Sequence, residues 1–411
     1  MKNMEYTGSE SLYLLYDTES PLAKILSDAY ISVLEDLHQE HGLLHSSQWQ
    51  KLTSIIIREF KNPPQPLYRG GLINPDNPHA EKQNRVVTSH NIEENKRLGL
   101  DHHEVYQTKM APEQVSKTTP PPIVGTPQEG NSETIDSQIE SIKYELTSLP
   151  VGSIVILIQS TNFRLSTFRI RLELFHRGIH VVEFNHLAYI LESEYPTFID
   201  SLQYRTDEYV RLEKSFSHLI SQTQTTQIRS INGSILTFWS LERIRGNTGD
   251  YSSVENKWWT FPIGEVFTES IDLSNVYGRC LIESYPREDF SVEHCQPFEL
   301  IIENGRVLPS RSFPPAFQKL YDWIVEFEWE VMVRELGMGI NPALTTSTPL
   351  SDINFYERKT GVHLSLGKKH GIYGKKLPKN EMQRFHIDVF IALESVFIGE
   401  TKAFEGGKWT L

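Results

Sequence analysis

The sequence predicts an α/β protein: an N-terminal doubly wound α/β part followed by a β-rich α+β part. Two observations predict it. Buried apolar strands alternate with amphipathic helices through the first half, and beyond about residue 226 the chain changes to short strands punctuated by turns. LYLLYD near the N-terminus reads as a strand. The following SPLAKILSDAYISVLEDLHQEHG places Leu22, Ile25, Leu26, Tyr30, Val33, Leu34 and Leu37 at helical spacing, between a Ser-Pro start and a Gly stop. After a polar tract, DSQIESIKYELTS reads as a helix, Ile154 to Ile158 as a continuous buried strand, FRIRLELFHRG as a helix closing on Gly178, and IHVVEFN as the next buried strand. TQIRSINGSILTFWS, WWTFPIGEVFTES, RCLIES and FELIIENGRVLPS then read as strands and turns, the last with Asn-Gly at a hairpin. One long helix interrupts them, AFQKLYDWIVEFEWEVMVRELG, expected to end at Gly337. Its aromatic residues Phe317, Tyr321, Trp323, Phe327 and Trp329 suit a packed core better than a ligand box.

These elements divide the chain into an N-terminal strand-helix segment (1–75), a Pro-rich polar linker or insertion (76–135), an α/β domain (136–240) and a β-rich domain (241–411). The insertion runs through NPDNPHAEKQN, DHHEVYQTK and KTTPPPIVGTPQEGNSE without an apolar period. Its DHHE histidines fit a solvated loop.

Composition excludes several functions. With 38% hydrophobic and 23% charged residues, and no apolar run near the roughly 20 residues of a membrane helix, a membrane protein is not expected. MKNMEYTGSE lacks the basic start and apolar core of a secretory signal, so a cytoplasmic location is expected. Cys280 and Cys295 are too few for a disulfide framework or a thiolate metal cage. A formal charge of -13 speaks against a nucleic-acid partner and suits divalent cations. GSIVILIQSTNF lacks the glycine fingerprint of a dinucleotide site.

Polar residues in apolar or glycine-bounded settings carry the chemistry, because a charge placed there needs a partner. Glu265 lies in FPIGEVFT and Glu335 in RELGMGINP, at the expected end of the long helix. In GVHLSLG, alternation puts His363, Ser365 and Gly367 on one strand face. In FHIDVFI it puts His386 and Asp388 on one face, with Phe385, Ile387 and Val389 behind. Two histidines and three carboxylates suit Zn, Mn, Co or Fe. Singly, each is more often structural; the case rests on the combination.

In combination these motifs resemble the thermophilic metallo-aminopeptidase family that includes aminopeptidases T and S, whose ligands follow the order Glu, Glu, His, His-x-Asp. PIGEVFT, RELGMGINP, GVHLSLG and FHIDVFI stand in that order, with SINGSILTF, FELIIENGRV and EGGKW as further similar segments, over roughly residues 140 to 411. The resemblance implies a metallopeptidase-like C-terminal domain. It also implies two divalent ions (Zn, Co or Mn) on Glu265, Glu335, His363, His386 and Asp388, a peptide substrate cut at its N-terminus by an activated water, and a homodimer. The family's catalytic Glu and Tyr flank the ligand His. Here Glu357 in FYERKTGVH matches the first as general base, whereas the place of the second is shifted to Tyr373, beyond His370. Ring-cleaving dihydroxypyridine dioxygenases are related to the same scaffold, and imply one Fe(II) on His363, His386 and Asp388. A peptide-binding or peptide-modifying relative without hydrolysis is a third reading.

Overall fold

The computed structural model describes residues 11–39, 54–60, 135–161, 170–252, 258–287, 291–367 and 385–411. Tyr373, the DHHE histidines and the rest of the tract 76–133 lie outside the described residues. Strands β1 (Ser11–Tyr16), β2 (Ser54–Glu59), β3 (Ile154–Ile158) and β4 (His180–Phe184) pair in parallel in the order β2-β1-β3-β4. β2 is additional to the strands predicted above, its isoleucine run being too short for periodicity to separate strand from helix. Alternation divides these strands between two cores. Tyr13, Leu15, Val155, Leu157 and Val181 pack under the helix Ile135–Ser148 with Ile139, Ile142 and Leu146. Leu12, Leu14, Ile154, Ile156 and Val182 face the other way, onto Leu22, Leu26 and Leu34 of the helix Pro21–Gln39. Helices cover both faces, as a doubly wound parallel sheet requires.

β5 (Thr225–Ser230), β6 (Ile235–Trp239) and β7 (Arg245–Asn247) open a second sheet, and β8 (Trp258–Thr260) then returns to pair in parallel with β4. The expected boundary between residues 240 and 241 therefore does not divide the sheets. Strand pairing is settled by which edges meet in space, which chain order does not record.

The second sheet continues through β9 (Glu265–Thr268), β10 (Val276–Pro286), β11 (Val292–Glu303), β12 (Arg306–Val307) and β13 (Val333–Gly339). It ends with β14 (Gly361–Leu366), β15 (Ile387–Ile391), β16 (Leu393–Ile398), β17 (Thr401–Glu405) and β18 (Lys408–Trp409). Its path runs β18-β17-β16-β5-β6-β10-β15-β14-β13-β9-β7, with β11 and β12 extending from β10. The hairpin predicted at Asn304-Gly305 is present, both residues at positive φ.

The long helix is shorter than its apolar pattern suggests. It spans Pro315–Glu328, burying Phe317, Leu320, Tyr321, Trp323 and Ile324, and stops where Trp329 turns left-handed. Val331, Met332 and Val333 carry an apolar run that fits a helix face equally well, but β-branched residues with two sheet neighbours gain a full ladder as strand. Glu335 thus lies inside β13 and not at a helix end.

Candidate metal centre

Four neighbouring strands, β9, β13, β14 and β15, form the platform. In an antiparallel ladder, directly paired residues share a face and alternate residues repeat it. Glu265 pairs with Gly339, Gly337 with His363, and His363 with Phe390; Glu335 pairs with Ser365, which pairs with Asp388. The register therefore collects Glu265, Glu335, His363, Ser365 and Asp388 on one face of the sheet, all buried. His386 precedes β15 on the same side, its side chain 33% exposed. Phe385, Ile387 and Val389 are buried, as the alternation of FHIDVFI requires.

The side chains converge. His363 Nε2 lies 3.3 Å from Glu265 Oε1 and 3.8 Å from Glu335 Oε1. His386 Nε2 lies 3.4 Å from Asp388 Oδ1. Three triads bring one ligand atom per residue within 4.8 Å of the others: Glu265, Glu335 and His363; Glu335, His386 and Asp388; Glu357, His363 and Asp388. Glu335 is common to the first two and Asp388 to the last two. None of the three holds both histidines, so the three-residue iron set expected above is assembled only through Asp388, which meets each histidine in a different triad.

Does this donor set fit a metal ion? His363 Nε2 is buried with no hydrogen-bond partner while it faces two carboxylates. A buried ring nitrogen that faces carboxylates without completing a hydrogen bond is costly, and a cation between them removes the cost. The electrostatics agree. Burial draws the His363 pKa down, but Glu265 and Glu335 outweigh it and hold it well above the ordinary imidazole value, so the pocket favours positive charge at this nitrogen. Nitrogen and carboxylate oxygens are the ligands of Zn, Mn and Fe.

Residues beyond the expected set complete the site. Ser365 donates to Asp388 Oδ1 and lies 3.1 Å from His386 Nε2, so its hydroxyl ties these two donors together. Gly337 faces His363 with no side chain between. Arg358, also buried, bonds Glu357 and lies 3.4 Å from Glu265 Oε2. Glu357, read above as general base, stands at the end of the short helix Ile353–Tyr356. Burial pushes its carboxyl up to about 8, Arg358 pulls it down, and Glu265 and Asp388 add to the rise. A carboxyl in that range can hold or release a proton near neutrality. Ser365 was legible as a member of the His363 face; the parts of Gly337 and Arg358 depend on strand register and chain reversal, which leave no local signal.

Fold and donor set together define a class: an α/β protein with a doubly wound parallel sheet and a large antiparallel sheet carrying buried carboxylates and histidines that could hold a metal ion. No family model matches the chain, and no curated protein matches it. Among solved structures it is similar to the 2,5-dihydroxypyridine dioxygenase of Pseudomonas putida KT2440, at 13% identity and a TM-score of 0.52 over 98% of this chain and 92% of that one. At that identity the likeness establishes shared fold alone.

Proposed function

We propose that this chain is a metal-dependent enzyme whose centre is the carboxylate–histidine face of β9, β13, β14 and β15. The observation that carries the reading is His363 Nε2, buried, without a hydrogen-bond partner, and aimed at Glu265 and Glu335. A divalent ion held there supplies Lewis acidity. The chain's own groups do the rest: Ser365 orients His386 and Asp388, and Glu357 holds or accepts a proton beside His363 and Asp388.

Two reactions fit this frame. One is ring cleavage by a mononuclear Fe(II) dioxygenase of the dihydroxypyridine type. The likeness to a solved dioxygenase along nearly the whole chain favours it, and Asp388, in a triad with each histidine, is the carboxylate that a two-histidine site would use. The other is removal of N-terminal residues from peptides by a dinuclear aminopeptidase-like hydrolase. The sharing of Glu335 by two triads supports it, since a bridging carboxylate is what two adjacent cations need. The comparison with solved structures gives the first reading a support that the second lacks.

Protein purified anaerobically without added metal distinguishes them. Bound iron with dioxygen uptake on a dihydroxypyridine supports the oxygenase. Bound Zn, Mn or Co with release of amine from aminoacyl amides supports the hydrolase. Metal bound with neither turnover supports the non-hydrolytic peptide-binding relative, and a folded chain that takes up no divalent ion overturns all three.

A further inference from the structure

Arg358 is the one guanidinium that reaches this cluster among the described contacts, and it is not free to leave. Its side chain is 7% exposed. Nε donates to the carbonyl of Pro262 at 3.3 Å, and Nη1 donates to the carbonyl of Asn354 at 2.7 Å and to Glu357. Nη1 also lies 3.4 Å from Glu265 Oε2, so Glu265 divides its oxygens between His363 on one side and Arg358 on the other. Two backbone carbonyls therefore fix a permanent cation between two of the four carboxylates.

The charge balance follows from this placement. Glu265, Glu335 and Asp388, the three carboxylates of the expected ligand set, bring three negative charges to the triads. With Arg358 in place, one divalent ion balances these charges, and a second would overshoot while standing against a guanidinium that cannot lose its proton. The triads containing Glu265 or Glu357 are those that Arg358 already engages. The donors that remain across the three triads are Glu335, His363, His386 and Asp388.

We propose that Arg358 is a built-in cation that takes the place of one divalent ion, so that the chain holds a single ion tightly, on donors from the remaining set of Glu335, His363, His386 and Asp388. The proposal rests on the metal-site reading above and fixes its stoichiometry. Arg358 acts here as a positioning residue, through Glu265 and Glu357.

The test is metal content of the full chain. Wild type, Arg358→Lys and Arg358→Met are each saturated with Mn(II) or Zn(II), passed over a desalting column, and measured by elemental analysis, with calorimetric titration for affinity. Wild type and the Lys variant, which keeps the charge, are expected to retain one equivalent. The Met variant is expected to gain a second, with affinity for it rising at least about tenfold. Two equivalents of similar affinity in wild type overturn the proposal and leave the metal site standing, as does a folded Met variant that stays at one. Wild type that melts cooperatively but retains no ion overturns the metal site itself. If the Met variant does not fold, the wild-type and Lys counts still decide, since the proposal requires one equivalent in both.

Discussion

His363 owes its position to a residue with no side chain. A Cβ built on Gly337 would lie 2.0 Å from His363 Nε2 and 2.2 Å from Cε1, distances at which the ring must leave its place. Gly337→Ala should therefore lower affinity for Mn(II) or Zn(II) at least about tenfold although no ligand is removed, because a displaced ring costs what a lost ligand costs. Calorimetric titration checks this, and an unchanged affinity removes His363 from the centre. Asp388→Asn should weaken binding by at least roughly tenfold as well, since an amide is a poorer donor to a hard cation than a carboxylate. Metal content after exhaustive dialysis reads it out. Much of this site was legible in the chain: FHIDVFI and GVHLSLG declare their faces by alternation, and Glu265 stands out in an apolar stretch. The face of Glu335 was not, because the apolar run before it serves helix and strand alike. Nothing local marks Gly337 or Arg358, whose importance is created by what folding brings opposite them.

Elements in this fold end where tertiary pairing takes over from local preference. The helix Pro315–Glu328 stops at Trp329, a left-handed residue that is 61% exposed. Beyond it Val333 joins the β13–β14 ladder. A side chain at a left-handed helix terminus carries strain that glycine does not, so Trp329→Gly should raise stability by about 0.5–1 kcal/mol. Urea unfolding measures it, and a destabilised variant would mean that the indole has a packing role. On the parallel sheet, Arg58 of β2 holds Glu145 of the helix Ile135–Ser148 at 2.7 Å, and Tyr13 of β1 donates to the same carboxylate. Burial pushes the Glu145 pKa up, but the hydrogen bonds from Arg58 and Tyr13 outweigh it and hold it below its ordinary value of 4.5. A carboxyl depressed in the folded state stabilises fully above its unfolded pKa, and that contribution disappears as pH falls through the folded one. Glu145→Gln should cost about 1–2 kcal/mol near neutrality, and the difference from wild type should close below about pH 4.5. A difference independent of pH would refute the ionic account.

At the scale of the molecule, the parallel half supports the centre from outside it. The segment after β4 brings His186 to Asn354, whose amide donates to Nδ1 at 2.8 Å, and Glu194 accepts from Ser351. Asn341 donates to the carbonyls of Ser201 and Ile263. These contacts come from beyond the carboxyl ends of the parallel strands, where doubly wound sheets present their working edge, and they brace the turn that carries Glu357 and Arg358. Because the donors converge only in the folded chain, metal binding should stabilise the whole: at a free ion concentration of 100 times Kd the gain is about 2.7 kcal/mol. Glu335→Gln should abolish most of that gain. Acidification should abolish it in wild type, since carboxylates and imidazoles must be unprotonated to bind. Melting temperatures with and without Mn(II), followed across pH, check both. An equal shift in the Glu335→Gln variant would place the ion elsewhere. Among the described residues, no helix is long and apolar enough to cross a membrane.

The sequence by itself determined the alternation of strands and helices, the Asn-Gly hairpin, and which residues could serve as donors, because these depend on local periodicity, turn chemistry and side-chain type. Tertiary structure decided the rest: that Val333 to Gly339 is a strand, that Trp258–Thr260 joins the parallel sheet, and that Gly337 makes room for an imidazole. It also put a guanidinium between Glu265 and Glu357. The physical reason is the same in each case. Ladder pairing, close approach and charge balance are relations between segments far apart in the chain, and their energies exist only once those segments meet.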